Sequence, residues 1–199
     1  MESPTATEAK FGKFFTSHEK FPFKVKDNGK WEFEQWSPEK EPFWSTWNEK
    51  QRANALQILK VMDLQNQGRA DSEEHDNQFH PDFVYANPSR PDLTDYKTWK
   101  QSPINLSKVF YPYLSAIRAM MPRGDNEFWF FGSAFGRHSG GPYMGVPPSG
   151  KEFYCDWHTI WNFKDGKVIR AYSICDVLSQ ILVPLGILNP ATMPINPYR

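Results

Sequence analysis

The chemistry-bearing side chains of this sequence stand inside aromatic runs, and the clearest is Asp176, which ends the run Lys167-Val-Ile-Arg-Ala-Tyr-Ser-Ile-Cys-Asp176. Just before that run, Asp165-Gly166 lies between two alternating apolar stretches, a strong short-range hairpin signal. With the turn centred there, Phe163 faces Val168, Trp161 faces Arg170, Thr159 faces Tyr172, Trp157 faces Ile174 and Cys155 faces Asp176. One sheet face then carries all ten of these side chains, mostly aromatic and apolar, and ends in a carboxylate. Such an Asp is either frayed into solvent or held in a poorly solvated pocket. In the pocket, desolvation raises its pKa toward a useful general-base value.

His138 ends a second strand, Glu127 to His138, whose even positions are Phe128, Phe130, Gly132, Ala134, Gly136 and His138. Three small residues on the histidine's face predict empty volume for a ligand, or else simply bend a curved sheet. Asp156 and His158 fall on the face opposite Asp176, beside Ser173 and Cys175. Asp156, His158 and His138 have no recognised metal-ligand spacing, so no metal is expected. His75 lies in a charged run and is expected to be solvated. His80, before Pro81, is expected to be structural.

Several motifs recur in order: Gly136-Arg-His-Ser-Gly140, Tyr143-Met-Gly-Val-Pro-Pro-Ser-Gly-Lys151, Phe163-Lys-Asp-Gly-Lys-Val168, then Tyr172, Asp176 and Leu185-Gly186. With His80-Pro-Asp-Phe-Val-Tyr-Ala-Asn-Pro88 upstream, residues 50 to 186 resemble the SnoaL-like polyketide cyclase family, of the cone fold shared with nuclear transport factor 2. The resemblance implies an α+β cone with a strongly bent, mostly antiparallel sheet around a pocket, closed by N-terminal helices and commonly dimeric. It also implies intramolecular aldol ring closure without metal or cofactor, in which a carboxylate removes a proton next to a carbonyl. Asp176 would be the general acid/base, His138 would polarise or protonate the oxyanion, and Asn87 would position the substrate. Phe130, Trp157, Trp161, Tyr172 and Tyr143 would wall in a flat, apolar molecule.

Some positions depart from the family pattern. Tyr172 replaces a Trp, Thr159 stands where His or Asp is common, and an inward Arg170 would pair with Asp176 and lower its pKa. Three functions stay open: a cofactor-free cyclase or isomerase, a ligand-binding protein without turnover, and a hydrolase or dehydratase that recruits His158. Fold alone does not choose among them.

The elements that must place these residues follow from pattern. Residues 1–47 form an aromatic-rich arm with a hairpin at Asn28-Gly29; its tryptophans 31, 36, 44 and 47 cover the body, a dimer partner or the cavity mouth. Residues 48–186 form the cone domain. Its first helix, over 48–67, has Thr46 and Glu49 at capping-box spacing, a stripe of Ala55, Leu56, Leu59 and Met62, and Gly68 as its stop. A short helix over 72–79, a helix over 92–110 with a break at Pro103, and a strand over 113–121 follow, and residues 187–199 form a Pro-rich tail.

Composition narrows the partners. Twenty-three basic residues balance 23 acidic ones, giving no electrostatic case for nucleic acid or an anionic membrane and favouring a small apolar or aromatic molecule. Aromatic residues make up 16%, more than an ordinary core requires. The register above points Cys155 and Cys175 to opposite faces, which disfavours a disulfide. With no secretory signal pattern and no long apolar run, the expected location is cytoplasmic.

Overall fold

The computed structural model describes residues 36–189, together with two short strands ahead of them, β1 (Phe23–Val25) and β2 (Trp31–Phe33). These two pair antiparallel with Val25 opposite Trp31, as the Asn28-Gly29 signal predicts; the turn itself lies outside the described residues, as does the tail from residue 190. Two 3-10 turns, Pro38–Lys40 and Pro42–Thr46, lead into α1 (Glu49–Asn66). Then come α2 (Glu73–Asp76), β3 (Phe79–Ala86), α3 (Tyr96–Val109), β4 (Phe110–Arg123), β5 (Glu127–His138), β6 (Glu152–Lys164), β7 (Lys167–Cys175) and a π-turn at Leu178–Leu182. The five-stranded sheet has the order β3-β7-β6-β5-β4. Only β3 and β7 run parallel. The result is an α+β fold with a curled sheet and helices on its concave face.

Helix α1 starts two residues later than Thr46 and Glu49 suggest. Asn48 is the N-cap: its side chain accepts from Gln51 N at 2.9 Å, and Gln51 Oε1 accepts from Asn48 N at 2.9 Å. Thr46 instead donates to Phe43 O at 2.7 Å, closing the preceding 3-10 turn. The buried stripe is Ala55, Ile58, Val61 and Met62, while Leu56 is 44% exposed. Helical geometry allows only one such face inward, and Ile58 and Val61 claim it.

The same helix holds the β4–β5 turn. Asn54 donates to Asp125 O at 2.9 Å, Asn48 to Asp125 Oδ1 at 2.8 Å and Gln51 to Gly124 O at 2.9 Å. The Arg123-Gly-Asp125 triplet therefore serves as a turn docked on α1.

His75 is a correction: it is fully buried, where the charged run predicts solvent. Ser72 caps the short α2, turning His75 inward against Phe79, Tyr96 and Trp99; its ring lies nearly parallel to Trp99 at 6.0 Å between centroids. His75 joins the core of the cone, which runs through Ala55, Ile58, Phe79, Trp99, Phe128, Phe130, Trp161 and Val168.

Candidate functional site

The hairpin forms at Asp165-Gly166, but its register differs from simple alternation. Phe163 pairs with Val168 as expected; Asn162 then pairs with Arg170, leaving Ile169 as an extra residue in β7. This bulge shifts every later pair by one: Trp161 faces Ala171, Ile160 faces Tyr172, Thr159 faces Ser173, His158 faces Ile174 and Trp157 faces Cys175. A slip of one residue exchanges the two faces of a strand. Ala171, Ser173 and Cys175 therefore join the concave side, while Arg170, Tyr172 and Ile174 turn outward and are exposed.

Three expectations are corrected by that one residue. Arg170 does not line the cavity, Tyr172 walls the convex face, and Asp176 does not face Cys155 across the ladder. Asp176 instead follows the last residue of β7 as an exposed side chain, within electrostatic reach of both cysteines. On the convex face, Met121, Trp129, Phe131, His158, Tyr172 and Ile174 line an apolar groove of about 380 Å³. His158 is exposed there, its ring 4.8 Å from that of Phe131.

The small face of β5 is filled. A Cβ on Gly132 would lie 2.1 Å from the Trp157 indole, and one on Gly136 would lie 2.4 Å from the Phe153 ring. The glycines seat aromatic rings of β6, so the volume that they predict beside His138 is occupied by Phe153 and Phe110. Phe130 is 4% exposed and packs edge-on to Trp157 and Trp161, at 5.8 and 5.2 Å. Trp161 is likewise core.

His138 is fully buried, and both of its ring nitrogens have partners. Nε2 lies 3.1 Å from Gly141 O and Nδ1 lies 3.3 Å from Ser149 Oγ. A carbonyl can only accept, so Nε2 carries the proton and Nδ1 accepts from the serine hydroxyl. Backbone bonds from His138 N to Lys151 O and from Gly150 N to His138 O, both 2.8 Å, close the same loop. His138 thus pins both ends of the Gly- and Pro-rich loop 139–151. Replacing it with Ala is expected to cost about 1–3 kcal/mol, the penalty for orphaned buried partners. Hydrogen exchange should then quicken at Gly141 and Gly150 but not at Trp161; unchanged exchange in the loop would remove this role.

Polar groups gather where β7 ends. Asn87, 8% exposed, accepts from Ser89 N at 2.8 Å through Oδ1 and donates to the Tyr85 hydroxyl at 3.2 Å through Nδ2. It also lies within electrostatic reach of Cys175. The turn reading of Asn87 holds: its side chain closes the Asx turn at Pro88. Cys155 and Cys175 are free thiols within electrostatic reach of each other, and the Cys155 thiol donates to Asp156 O at 3.6 Å. The neighbouring Cys155 thiol, against burial and with help from the Asn87 amide, holds the Cys175 thiol below the ordinary thiol range, and the Asp176 charge opposes it. The same pair contact, then burial, pushes Cys155 up.

Tyr113 and Tyr143 lie within electrostatic reach of both thiols, and burial pushes their hydroxyls up. Tyr143 meets Phe110 edge-on at 5.0 Å. Thr159, 5% exposed, bonds Tyr172 O and Ser173 Oγ, both at 2.8 Å, and so ties β6 to β7. Trp157, partly exposed, touches both apolar clusters of the concavity.

This end of the concavity therefore offers hydroxyl, amide and thiol groups between aromatic walls, with a carboxylate at its rim. The sequence reading passes over Cys175, Tyr113 and Tyr85. The signal for them is Ile169, an extra apolar residue beside Val168 that marks a bulge. Among the described residues, no group of three or more His, Cys, Asp or Glu side chains could hold a metal ion, and no helix is long and apolar enough to cross a membrane.

No family model matches this sequence, and no curated protein sequence matches it. Solved structures do match. AclR from Streptomyces galilaeus, a proposed hydroxylase, aligns with a TM-score of 0.61 at 18% identity, over 70% of this chain and 99% of that one. IdmH from Streptomyces antibioticus, a proposed polyketide cyclase, aligns at 0.59 and 23%, over 67% and 98%. A proposed SnoaL-like polyketide cyclase from Jannaschia aligns at 0.60 and 17%, over 72% and 98%. The chain has the SnoaL-like fold, the cone shared with nuclear transport factor 2. At these identities the likeness is one of architecture.

Proposed function

We propose that this protein binds a small, flat, largely apolar carbonyl compound at the polar end of its concave face and acts on it without a cofactor, by cyclase or isomerase chemistry. The observation that carries the reading is the convergence of Asn87, Tyr113, Tyr143 and Cys175 between aromatic walls, with Asp176 at the rim. Few polar groups in an aromatic setting are what orient a small ligand. In this reading Asp176 removes a proton next to the carbonyl, the Asn87 amide and the tyrosine hydroxyls hold the oxygen, and Trp157 and Tyr143 stack on the flat body. His138 acts on the loop that carries Tyr143, not on the substrate. The homodimer that the resemblance implies would use the convex face, where Met121, Trp129 and Ile174 are 62, 42 and 48% exposed.

A second reading, binding without turnover, is favoured by the exposure of Asp176, which leaves its carboxylate at the solvent edge and not among the aromatic walls. Deuterium exchange separates the two. With 2-tetralone as a flat, enolisable probe in D2O, the wild type is expected to quench in tryptophan fluorescence and to speed α-proton exchange; Asp176→Asn should keep the quench and lose the exchange. Quench without exchange in the wild type leaves the binding reading. Neither signal, across a panel of such ketones, overturns the site.

A further inference from the structure

We propose that the groove along the outer face of α1 is the docking site of this chain's own N-terminal segment, residues 10–20, whose phenylalanines cover Leu56 and Leu59 and whose lysines meet Asp63 and Glu39.

The buried stripe of α1 turns to the sheet. Leu56 and Leu59 lie on the other side of the helix, where Leu56 is 44% exposed and Leu59 half-buried. With Trp36, at the start of the body, they line a groove of about 490 Å³. Its charges are unevenly matched. Lys60 and Arg69 both pair with Glu74, at 3.0 and 2.7 Å. Asp63 and Glu39 line the same groove and have no hydrogen-bond or ion partner among the described residues. Burial pushes the Asp63 carboxyl above the ordinary carboxylate range. An apolar floor beside two unanswered carboxylates fits an occupant that interleaves aromatic rings with cations.

The chain itself supplies one. Residues 10–20 read Lys-Phe-Gly-Lys-Phe-Phe-Thr-Ser-His-Glu-Lys, three phenylalanines among three lysines with one glutamate. The β1–β2 pairing sets where this segment starts. Phe23 stands opposite Phe33, about 5 Å away. Phe33 is three residues from Trp36 at the groove's rim, at most about 11 Å of chain. The hairpin thus returns the chain to the edge of the groove. The groove follows α1 from Leu56 to Gln67, roughly 16 Å of helix at about 1.5 Å per residue. Ten extended residues span about twice that length, so the segment is long enough to lie along it. A free ligand of the same chemistry would have to compete with a partner tethered beside the site. Docked there, the segment straps the helix layer from outside. It stays clear of the polar end of the concavity, none of whose residues lines the groove.

Cross-linking and proteolysis of the full chain test the docking. A zero-length carbodiimide, which joins amines only to carboxylates in contact with them, is expected to link Lys13 or Lys20 to Asp63 or Glu39. In a mixture of light and heavy-isotope protein the links should stay within one chain. Trypsin should cut after Lys20 at least about fivefold more slowly in the wild type than in Leu56→Gln/Asp63→Asn, since cleavage follows the population of the released segment. Phe11→Ser/Phe14→Ser, which leaves the groove untouched, should speed the same cut as much, so the result does not hang on how well the groove variant folds. Equal cleavage in all three proteins, or no link to Asp63 or Glu39, would overturn the proposal. Links that join light to heavy chains would assign the groove to a second copy and overturn it as well.

Discussion

Lowering the pH from 7 to 4 is expected to destabilise this protein by about 3 kcal/mol through His75 alone, at about 1.4 kcal/mol for each pKa unit. The ring is fully buried, and burial lowers its pKa to about 4 from 6.5; Asp76 and Asp71 pull the other way, and Lys100 adds to the depression. Its neutral state is built in: Gln65 Nε2 lies 3.3 Å from Nε2, which must accept, so Nδ1 carries the proton toward Tyr96 OH at 3.0 Å. Tyr96 in turn donates to Asp76 Oδ1 at 2.7 Å, where Lys100 also binds. A second proton would leave Gln65 facing an N–H inside an aromatic box. Because the folded pKa is below the unfolded one, the contribution is complete above about pH 6.5. It is lost as pH falls from 6.5 through the folded value, and well below about 4 both states are protonated. Urea unfolding at half-unit pH steps should show uptake of nearly one proton in that window for the wild type. In His75→Phe, which keeps the stacking and cannot titrate, the uptake should vanish; an equal slope in both proteins would assign the acid sensitivity elsewhere.

His75 also marks what the sequence discloses about this fold and what it does not. Period and turn chemistry are local, so Asp165-Gly166 shows the β6–β7 hairpin, and the run from Glu127 to His138 shows β5 with its observed ends. Helix α1 is legible from its period, although its cap lies two residues on, because Asn48 and Gln51 can reach each other where Thr46 is already used by Phe43. Burial of His75 depends on α3 bringing Tyr96 and Trp99 across it, a contact more than twenty residues away. No local charge pattern reports that.

The site depends on parity, which is where a sequence is weakest. β7 alternates acceptably in either phase: Val168, Arg170, Tyr172 and Ile174, or Ile169, Ala171, Ser173 and Cys175. The choice falls to the packing of Ala171 against Trp161 and of Ser173 against Thr159, which only the assembled sheet decides. Ile169 absorbs the mismatch with the tight turn. Thus Asn87, Phe130, Trp157, Thr159 and Trp161 fall on the expected face. Arg170 and Tyr172 fall on the other, and Cys175 falls opposite Trp157.

Parity also sets the consequences of filling the two glycines of β5, and Gly136→Ala is expected to be the more damaging by a clear margin. In an ordinary strand Ala is preferred to Gly by backbone entropy, so a simple propensity argument predicts stabilisation in both cases. Contacts reverse the sign. At Gly136 the new Cβ would stand 2.4 Å from Phe153 Cε1 and 3.1 Å from Phe110 Cβ, and both phenylalanines are 1% exposed or less. Neither ring has free space to enter, so the strand must shift, at about 3 kcal/mol, the upper end of overpacking costs. At Gly132 the clash is closer, 2.1 Å from Trp157 Cζ2, yet Trp157 is partly exposed and can swing toward the open end of the concavity. The stability cost there should be nearer 1 kcal/mol. The displaced indole, directly across from Cys175, should block the ketone quench. Urea midpoints, near-UV circular dichroism and the ketone quench on the two variants test the pair together. A Gly132→Ala protein that is less stable than Gly136→Ala, with the ketone quench intact, would mean that Trp157 is locked in place and does not border an open site.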